Sequence, residues 1–224
     1  MEWLTFAAAV PGRPGHVCED AALAVEDAVV VADGLGSTGI GARASRLAVD
    51  LALGNLLTDA RSGTPVATLG ELFRERYAVA VAQDRAVATT CLFAFATPGR
   101  VLVGQVGDGL AAVLRCDGSV FLLEDGRGVF ANVTDSLPLV APRIEAFAPD
   151  TVSAVLLATD GVADDLIHDA IPALVRALRD LLIEEGPVHA GERIREWLFA
   201  WKTRSSNDDR AVGLLVHHIR EQDA

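Results

Sequence analysis

Thr89-Thr90-Cys91-Leu92-Phe93-Ala94-Phe95-Ala96 is followed by Val101-Leu102-Val103-Gly104-Gln105-Val106, then Leu110-Ala111-Ala112-Val113-Leu114-Arg115, then Val120-Phe121-Leu122-Leu123. Pro98-Gly99, Gly107-Asp108-Gly109 and Asp117-Gly118 punctuate these runs. Apolar runs of strand length separated by turn residues predict consecutive antiparallel strands, a meander of hairpins. The regular strand–helix alternation of a doubly wound parallel sheet is missing.

Working outward, more strands flank the meander. Leu4 to Val10, Ala21 to Val25 and Ala28 to Ala32 precede it, while Ile144 to Ala148, Ala154 to Ala158 and Ala211 to His217 follow. Helices come in separate blocks. One is predicted over Ala42 to Leu56, burying Leu47 and Leu51 with Ala44, Ala48 and Ala52, with Arg43, Arg46 and Asp50 mainly outside. Others span Leu69 to Gln83, Ile171 to Glu184 (Leu174, Leu178, Leu181 and Leu182 inward) and Gly191 to Thr203 (Ile194, Trp197, Leu198 and Trp201 inward). Strands in succession with helices in blocks indicate an α+β fold with an antiparallel core, two sheets packed together with helices outside.

Composition limits the function. The 224 residues fit one domain, 1–224, and 51% hydrophobic against 22% charged residues is globular rather than disordered. A net charge of −12 with a single Tyr disfavours nucleic acid, which needs cations for phosphates and rings for bases. Cys18, Cys91 and Cys116 are odd in number and lack metal spacing, so neither a disulfide framework nor a zinc site is expected. No run approaches a membrane span, and no basic segment precedes the first apolar stretch. The expectation is a cytoplasmic protein.

The chemistry lies in short acidic motifs at strand ends. Asp33-Gly34 ends the run Ala28 to Ala32, Asp160-Gly161 ends Ala154 to Thr159, Asp208-Asp209 precedes Ala211 to Val216, and Glu19-Asp20 precedes Ala21. Carboxylates at strand ends can converge on one rim of a sheet structure. Two unit charges 4 Å apart repel by about 4 kcal/mol at an effective dielectric of 20, so the cluster calls for cations. All-oxygen ligation favours Mg²⁺ or Mn²⁺ over zinc. Asp117-Gly118 and Asp125-Gly126 read as ordinary turns. Asp164 and Asp165 read as carboxylates that begin or flank a helix. Trp197 and Trp201, at helical spacing, read as core. His16, beside the first motif, is either a solvated loop residue or one that contacts phosphate or acts as an acid.

In order, Cys18-Glu19-Asp20-Ala21, Asp33-Gly34-Leu35-Gly36, Val106-Gly107-Asp108, Thr159-Asp160-Gly161 and Asp208-Asp209 resemble the motifs of type 2C protein phosphatases, the metal-dependent serine/threonine phosphatases. The loop Pro11 to Ala21 and the stretch Phe130-Ala131-Asn132-Val133-Thr134 look most like a divergent bacterial branch. The resemblance implies a four-layer α/β/β/α sandwich of two antiparallel sheets flanked by helices. It also implies a dinuclear Mn²⁺ or Mg²⁺ centre that activates a water for in-line attack on phosphorus. Asp33 would bridge both ions, the Gly34 carbonyl would ligate one, Asp160 and Asp208 would hold the other, and Glu19 and Asp20 would contribute directly or through waters. Asp208 takes the family's ligand position and Asp209 stands behind it. Asp108 would help hold a weaker third ion; its alternative is the cap of a tight Gly-Asp-Gly hairpin.

Some family features are replaced. Gly15 stands where many members carry a phosphate-gripping arginine, which leaves Arg13 as the candidate phosphate ligand. Gly109 and Leu110 replace the Ser and Arg that usually follow the third motif, and Leu35 stands where some members place a proton-donating histidine. The expected substrate is a phosphorylated protein, with a serine/threonine kinase as a further candidate partner. The rival reading is a weak or inactive domain that binds a phosphorylated partner or regulates a kinase. A phosphorylated metabolite would use the same metal site.

Overall fold

Valine-rich strands buried on both faces organise the molecule. In this computed structural model, which describes residues 2–36, 39–84, 88–123, 134–201 and 208–218, two antiparallel sheets lie face to face. One has the order β1 (Glu2–Val10), β11 (Arg210–His218), β10 (Val152–Ala158), β7 (Leu110–Arg115), β8 (Val120–Leu122). The other has the order β2 (Asp20–Val25), β3 (Ala28–Leu35), β5 (Cys91–Thr97), β6 (Arg100–Val106), β9 (Arg143–Phe147), with β4 (Ala88–Thr89) paired to the end of β3. The expected four layers are present, with helices covering both outer faces.

Strand alternation sorts side chains between the layers. Val29 and Val31 of β3, Val155 and Leu157 of β10, and Ala211 and Leu215 of β11 fill the space between the sheets. Ala28, Val30 and Ala32 face the other way, onto α1 (Ile40–Leu51), α2 (Leu57–Arg61) and α3 (Val66–Asp84). Leu156, Val212 and Leu214 pack against α5 (Ile171–Ala200). These strands have no polar face because each sheet is covered on both sides.

Several boundaries differ from the sequence-based expectations. The helix expected over Ala42 to Leu56 starts at Ile40 and passes through a π-helical turn, Ala52–Leu56, into α2. Its innermost residues are Ala44, Ser45, Ala48 and Val49, with Leu47 and Leu51 at the edge of the core. The two helices expected near the C-terminus form one run, α5, broken at Gly186 (φ 73°), where Pro187 has no amide to continue the ladder. The expected extension to Thr203 and the stretch Phe130 to Val133 lie outside the described residues. Among the described residues, no helix is long and apolar enough to cross a membrane.

The larger correction concerns the meander. β5 and β6 form the expected hairpin, but β6 and β7 belong to different sheets. Gly107-Asp108-Gly109 is therefore a crossover, and the tight-hairpin reading of Asp108 falls. Gly107 makes the bend at φ 112°, with its α-carbon against Thr90; an added Cβ would lie 2.5 Å from the threonine Cβ. A side chain there would be both strained and crowded. The crossover leaves Asp108 at the same end of the sandwich as the ends of β3 and β10.

Candidate metal centre

The β2–β3 ladder sets Asp20 directly opposite Asp33. By alternation with Val29 and Val31, Asp33 is on the face toward the second sheet, at the open end of the space between them. Its backbone is held firmly. Its N–H donates to Thr90 Oγ1 (2.9 Å), and its carbonyl accepts from the Thr90 N–H (2.9 Å) and the Thr89 hydroxyl (2.7 Å).

From the opposite sheet, Thr159 directly follows β10 and is 1% exposed. Its hydroxyl donates to Asp20 Oδ2 (2.7 Å) and accepts the Ala211 N–H (2.8 Å). One hydroxyl thus links both sheets at the site. Asp160 opens α4 (Asp160–Ala163), its Oδ1 accepting the Gly161 N–H (2.7 Å). The chain of β11 approaches closely here, because a Cβ at Gly161 would lie 1.9 Å from the Asp209 carbonyl oxygen.

Glu19 accepts from the Gly39 N–H (3.2 Å) just before α1, and its own carbonyl accepts the Ser45 hydroxyl (2.6 Å). Gly34 and Gly41 touch backbone to backbone beside it, so a Cβ on Gly34 would lie 1.9 Å from the Gly41 carbonyl oxygen. Asp108 Oδ2 accepts the Thr134 hydroxyl (2.7 Å). Asp209 accepts from the Gly12 N–H (2.8 Å) and the Glu19 N–H (2.6 Å), and Asp208 Oδ1 accepts the Asp209 N–H (3.2 Å).

The electrostatics show how closely these groups share one field. Burial, followed by the charge of Asp33, holds Asp20 well above the ordinary carboxylate range. Burial lifts Asp33 to about 6; a hydrogen bond from Asp20 opposes the rise, and the charges of Asp208, Asp108 and Asp209 add to it. Asp160 reaches about 7 through burial and then the charges of Asp33, Asp108 and Asp208. Carboxylates from five separated segments therefore repel one another at one end of the sandwich. A divalent cation relieves such repulsion, and the all-oxygen donor set suits a hard ion. The residues present thus fit Mn²⁺ or Mg²⁺. Among the described residues, however, no group of three or more Asp, Glu, His or Cys side chains is already gathered into a coordination shell. Asp20, Asp108, Asp160 and Asp209 are instead engaged by hydroxyls and amides of the protein.

Cys18 lies beside the site and is half-buried. Burial and then the charges of Asp20 and Asp209 push its thiol up to about 12, opposite to the shift that makes a reactive thiolate. Arg13 and His16 lie on an exposed turn in which the His16 N–H donates to the Arg13 carbonyl (3.2 Å). Asp165 flanks the end of α4 and accepts from the Trp201 indole N–H (3.0 Å). Trp197 and Trp201 pack edge to face, 4.4 Å between ring centres, partly buried against the core. Sequence reasoning assigned no role to Thr159, Thr89 or Thr90. The available signal was Thr159 beside Asp160 and the pair Thr89-Thr90 at the head of an apolar strand run.

The comparisons agree with this architecture. A family profile described as Protein phosphatase 2C matches residues 12–199. No curated protein sequence matches significantly. Among solved structures, the catalytic domain of the serine/threonine phosphatase PstP, in complex with two manganese ions, aligns with a TM-score of 0.67 at 19% identity, covering 96% of this chain and 98% of that one. PppA, a regulatory component of the type VI secretion system in Pseudomonas aeruginosa, aligns at 0.68 and 19%, covering 96% and 98%. MsPP, a Ser-Thr phosphatase from Mycobacterium smegmatis in complex with cacodylate, aligns at 0.65 and 21%, covering 95% and 97%. With the motif order, the sandwich and the acidic end of the sheets in agreement with a profile spanning most of its length, the chain belongs to the protein phosphatase 2C family.

Proposed function

We propose that residues 1–224 form one catalytic domain that hydrolyses phosphoserine or phosphothreonine in proteins with the help of Mn²⁺ or Mg²⁺. The observation that carries this reading is the convergence of Asp33, Asp108, Asp160 and Asp208 from four segments at one end of the sandwich, close enough for their charges to act on Asp33 and Asp160. Asp33, Asp160 and Asp208, with the Gly34 carbonyl, Glu19 and Asp20, would hold two ions, and Asp108 a weaker third. When bound, the ions supply Lewis acidity for activating water and offsetting charge at phosphorus.

The chain's own residues do the rest. Thr159 and the β2–β3 ladder orient Asp20, and Thr89 and Thr90 fix the backbone on either side of Asp33's attachment. Arg13, on the exposed turn beside the site, is the proposed phosphate contact; a guanidinium matches two phosphate oxygens. A phosphorylated protein, and a kinase as further partner, follow from the same reading. The rival, phosphoprotein binding without efficient turnover, is favoured by one observation: the carboxylates are engaged by protein donors rather than gathered into an open shell.

Hydrolysis of a phosphothreonine peptide with millimolar Mn²⁺, repeated with chelator and with Asp33→Asn and Asp160→Asn, separates the two. Activity that needs metal and both aspartates supports the enzyme. Full activity in chelator or in either variant refutes the metal mechanism, and phosphopeptide binding without turnover favours the rival.

A further inference from the structure

The loop from Pro11 to Glu19 carries the chain from one sheet to the other. It leaves β1 at Val10, opposite Arg210, and enters β2 at Asp20, opposite Asp33. Gly12 and Gly15 give it little intrinsic preference for a single path. Yet it delivers Glu19 and Asp20, both proposed to serve the metals. Something must hold it.

One side chain holds both ends. Asp209 Oδ1 accepts the amide of Gly12 at the start of the loop (2.8 Å), and Oδ2 accepts the amide of Glu19 at its end (2.6 Å). Both are short, charge-assisted bonds. The backbone of Asp209 is itself fixed, since its carbonyl lies flush against Gly161 at the start of α4, where a Cβ would come within 1.9 Å. Asp209 therefore ties the β1–β2 loop to the segment that carries Asp208 and to the helix that carries Asp160.

Resting on the phosphatase reading above, we propose that Asp209 is a positioning residue: its carboxylate latches the Pro11–Glu19 loop and thereby sets Glu19 and Asp20 for metal. Asp208 then supplies the ligand of the pair, and the two adjacent aspartates divide the work. An asparagine at 209 offers a single acceptor oxygen, so it can satisfy one loop amide and leaves the other facing an NH₂ group. The carboxylate is matched to this loop because two amides converge on it.

The test pairs hydrogen exchange with metal titration in Asp209→Asn and Asp209→Ala; the former is the milder change should the latter fold poorly. In the metal-free protein, exchange in peptides spanning residues 11–19 should speed up partly in Asp209→Asn and fully in Asp209→Ala, while β10 stays protected. The Mn²⁺ concentration for half-maximal phosphopeptide hydrolysis should rise roughly tenfold or more, the usual effect of losing a group that orients a metal ligand. At saturating Mn²⁺ kcat should recover, whereas Asp208→Asn should stay inactive. Unchanged loop exchange in Asp209→Ala overturns the latch. A kcat lost at saturating Mn²⁺ in both variants makes Asp209 a ligand and overturns the division of roles. A wild-type chain that binds no Mn²⁺ by calorimetry refutes the phosphatase reading and with it the metal-positioning role; the exchange arm still decides whether the latch exists.

Discussion

Replacing Thr159 with valine keeps the shape of the side chain and removes one hydroxyl. That hydroxyl donates to Asp20 Oδ2 and accepts the Ala211 amide, both inside the protein. Two losses follow. The Ala211 N–H loses its acceptor in a buried setting, which costs about 1–3 kcal/mol. Asp20 loses a donor that favours its ionised form, about 1 kcal/mol more on the scale of a single hydrogen bond. The sum is about 3 kcal/mol, and for a domain of this size each kcal/mol moves Tm by about 2–4 °C, so a fall of about 6–12 °C is expected. Thr159→Ser keeps the hydroxyl and should fall much less. Differential scanning fluorimetry of the two metal-free variants beside wild type measures the difference. In a Mn²⁺ titration, the valine variant should also need more metal, because Asp20 has lost the group that orients it. A valine variant as stable as the serine variant would refute the reasoning, since the hydroxyl would then not bridge the two sheets.

Other outcomes follow from the same end of the molecule. Asp33 at about 6 and Asp160 at about 7 hold protons in the folded state that the unfolded chain, near 3.8, has released. Their contribution is full below about pH 4 and is lost as pH rises through 6 to 7, on the order of a few kcal/mol. Urea midpoints of the metal-free protein should therefore fall from pH 5 to pH 8, less steeply in Asp160→Asn, and an equal slope in that variant would contradict the assignment. Millimolar Mn²⁺ should raise Tm at pH 8, by about 2.7 kcal/mol of stabilisation at a hundredfold excess over Kd, and an unchanged Tm would argue for a degenerate site. Gly34→Ala would push a methyl into the Gly41 carbonyl, where a Cβ has 1.9 Å, so it should destabilise by about 3 kcal/mol or more and separate α1 from β3. Wild-type urea stability in that variant would show that the close approach is not required.

The acidic motifs were legible along the chain because each is a local event: an apolar strand begins or ends, and a carboxylate stands beside that boundary. Asp33, Asp160 and the Asp208-Asp209 pair could be singled out from that alone, the choice of Asp208 within the pair came from the family resemblance, and the α+β character followed from strand runs and helix periods. What the chain could not show by itself was which strands share a sheet. The runs ending at Val106 and starting at Leu110 read as a hairpin, yet the chain changes sheets at Asp108. Turn residues mark where a chain bends, but the partner it bends toward depends on how all the apolar faces are buried together. Thr159 and Asp209 belong to the same class. Their partners are Asp20, Ala211, Gly12 and Glu19, far away in sequence and adjacent only once both sheets are stacked. The identity of the carboxylates was a property of the sequence. That Asp209 rather than its neighbour accepts both loop amides was decided by packing, because a carboxylate's partners depend on the donors that the fold brings around it.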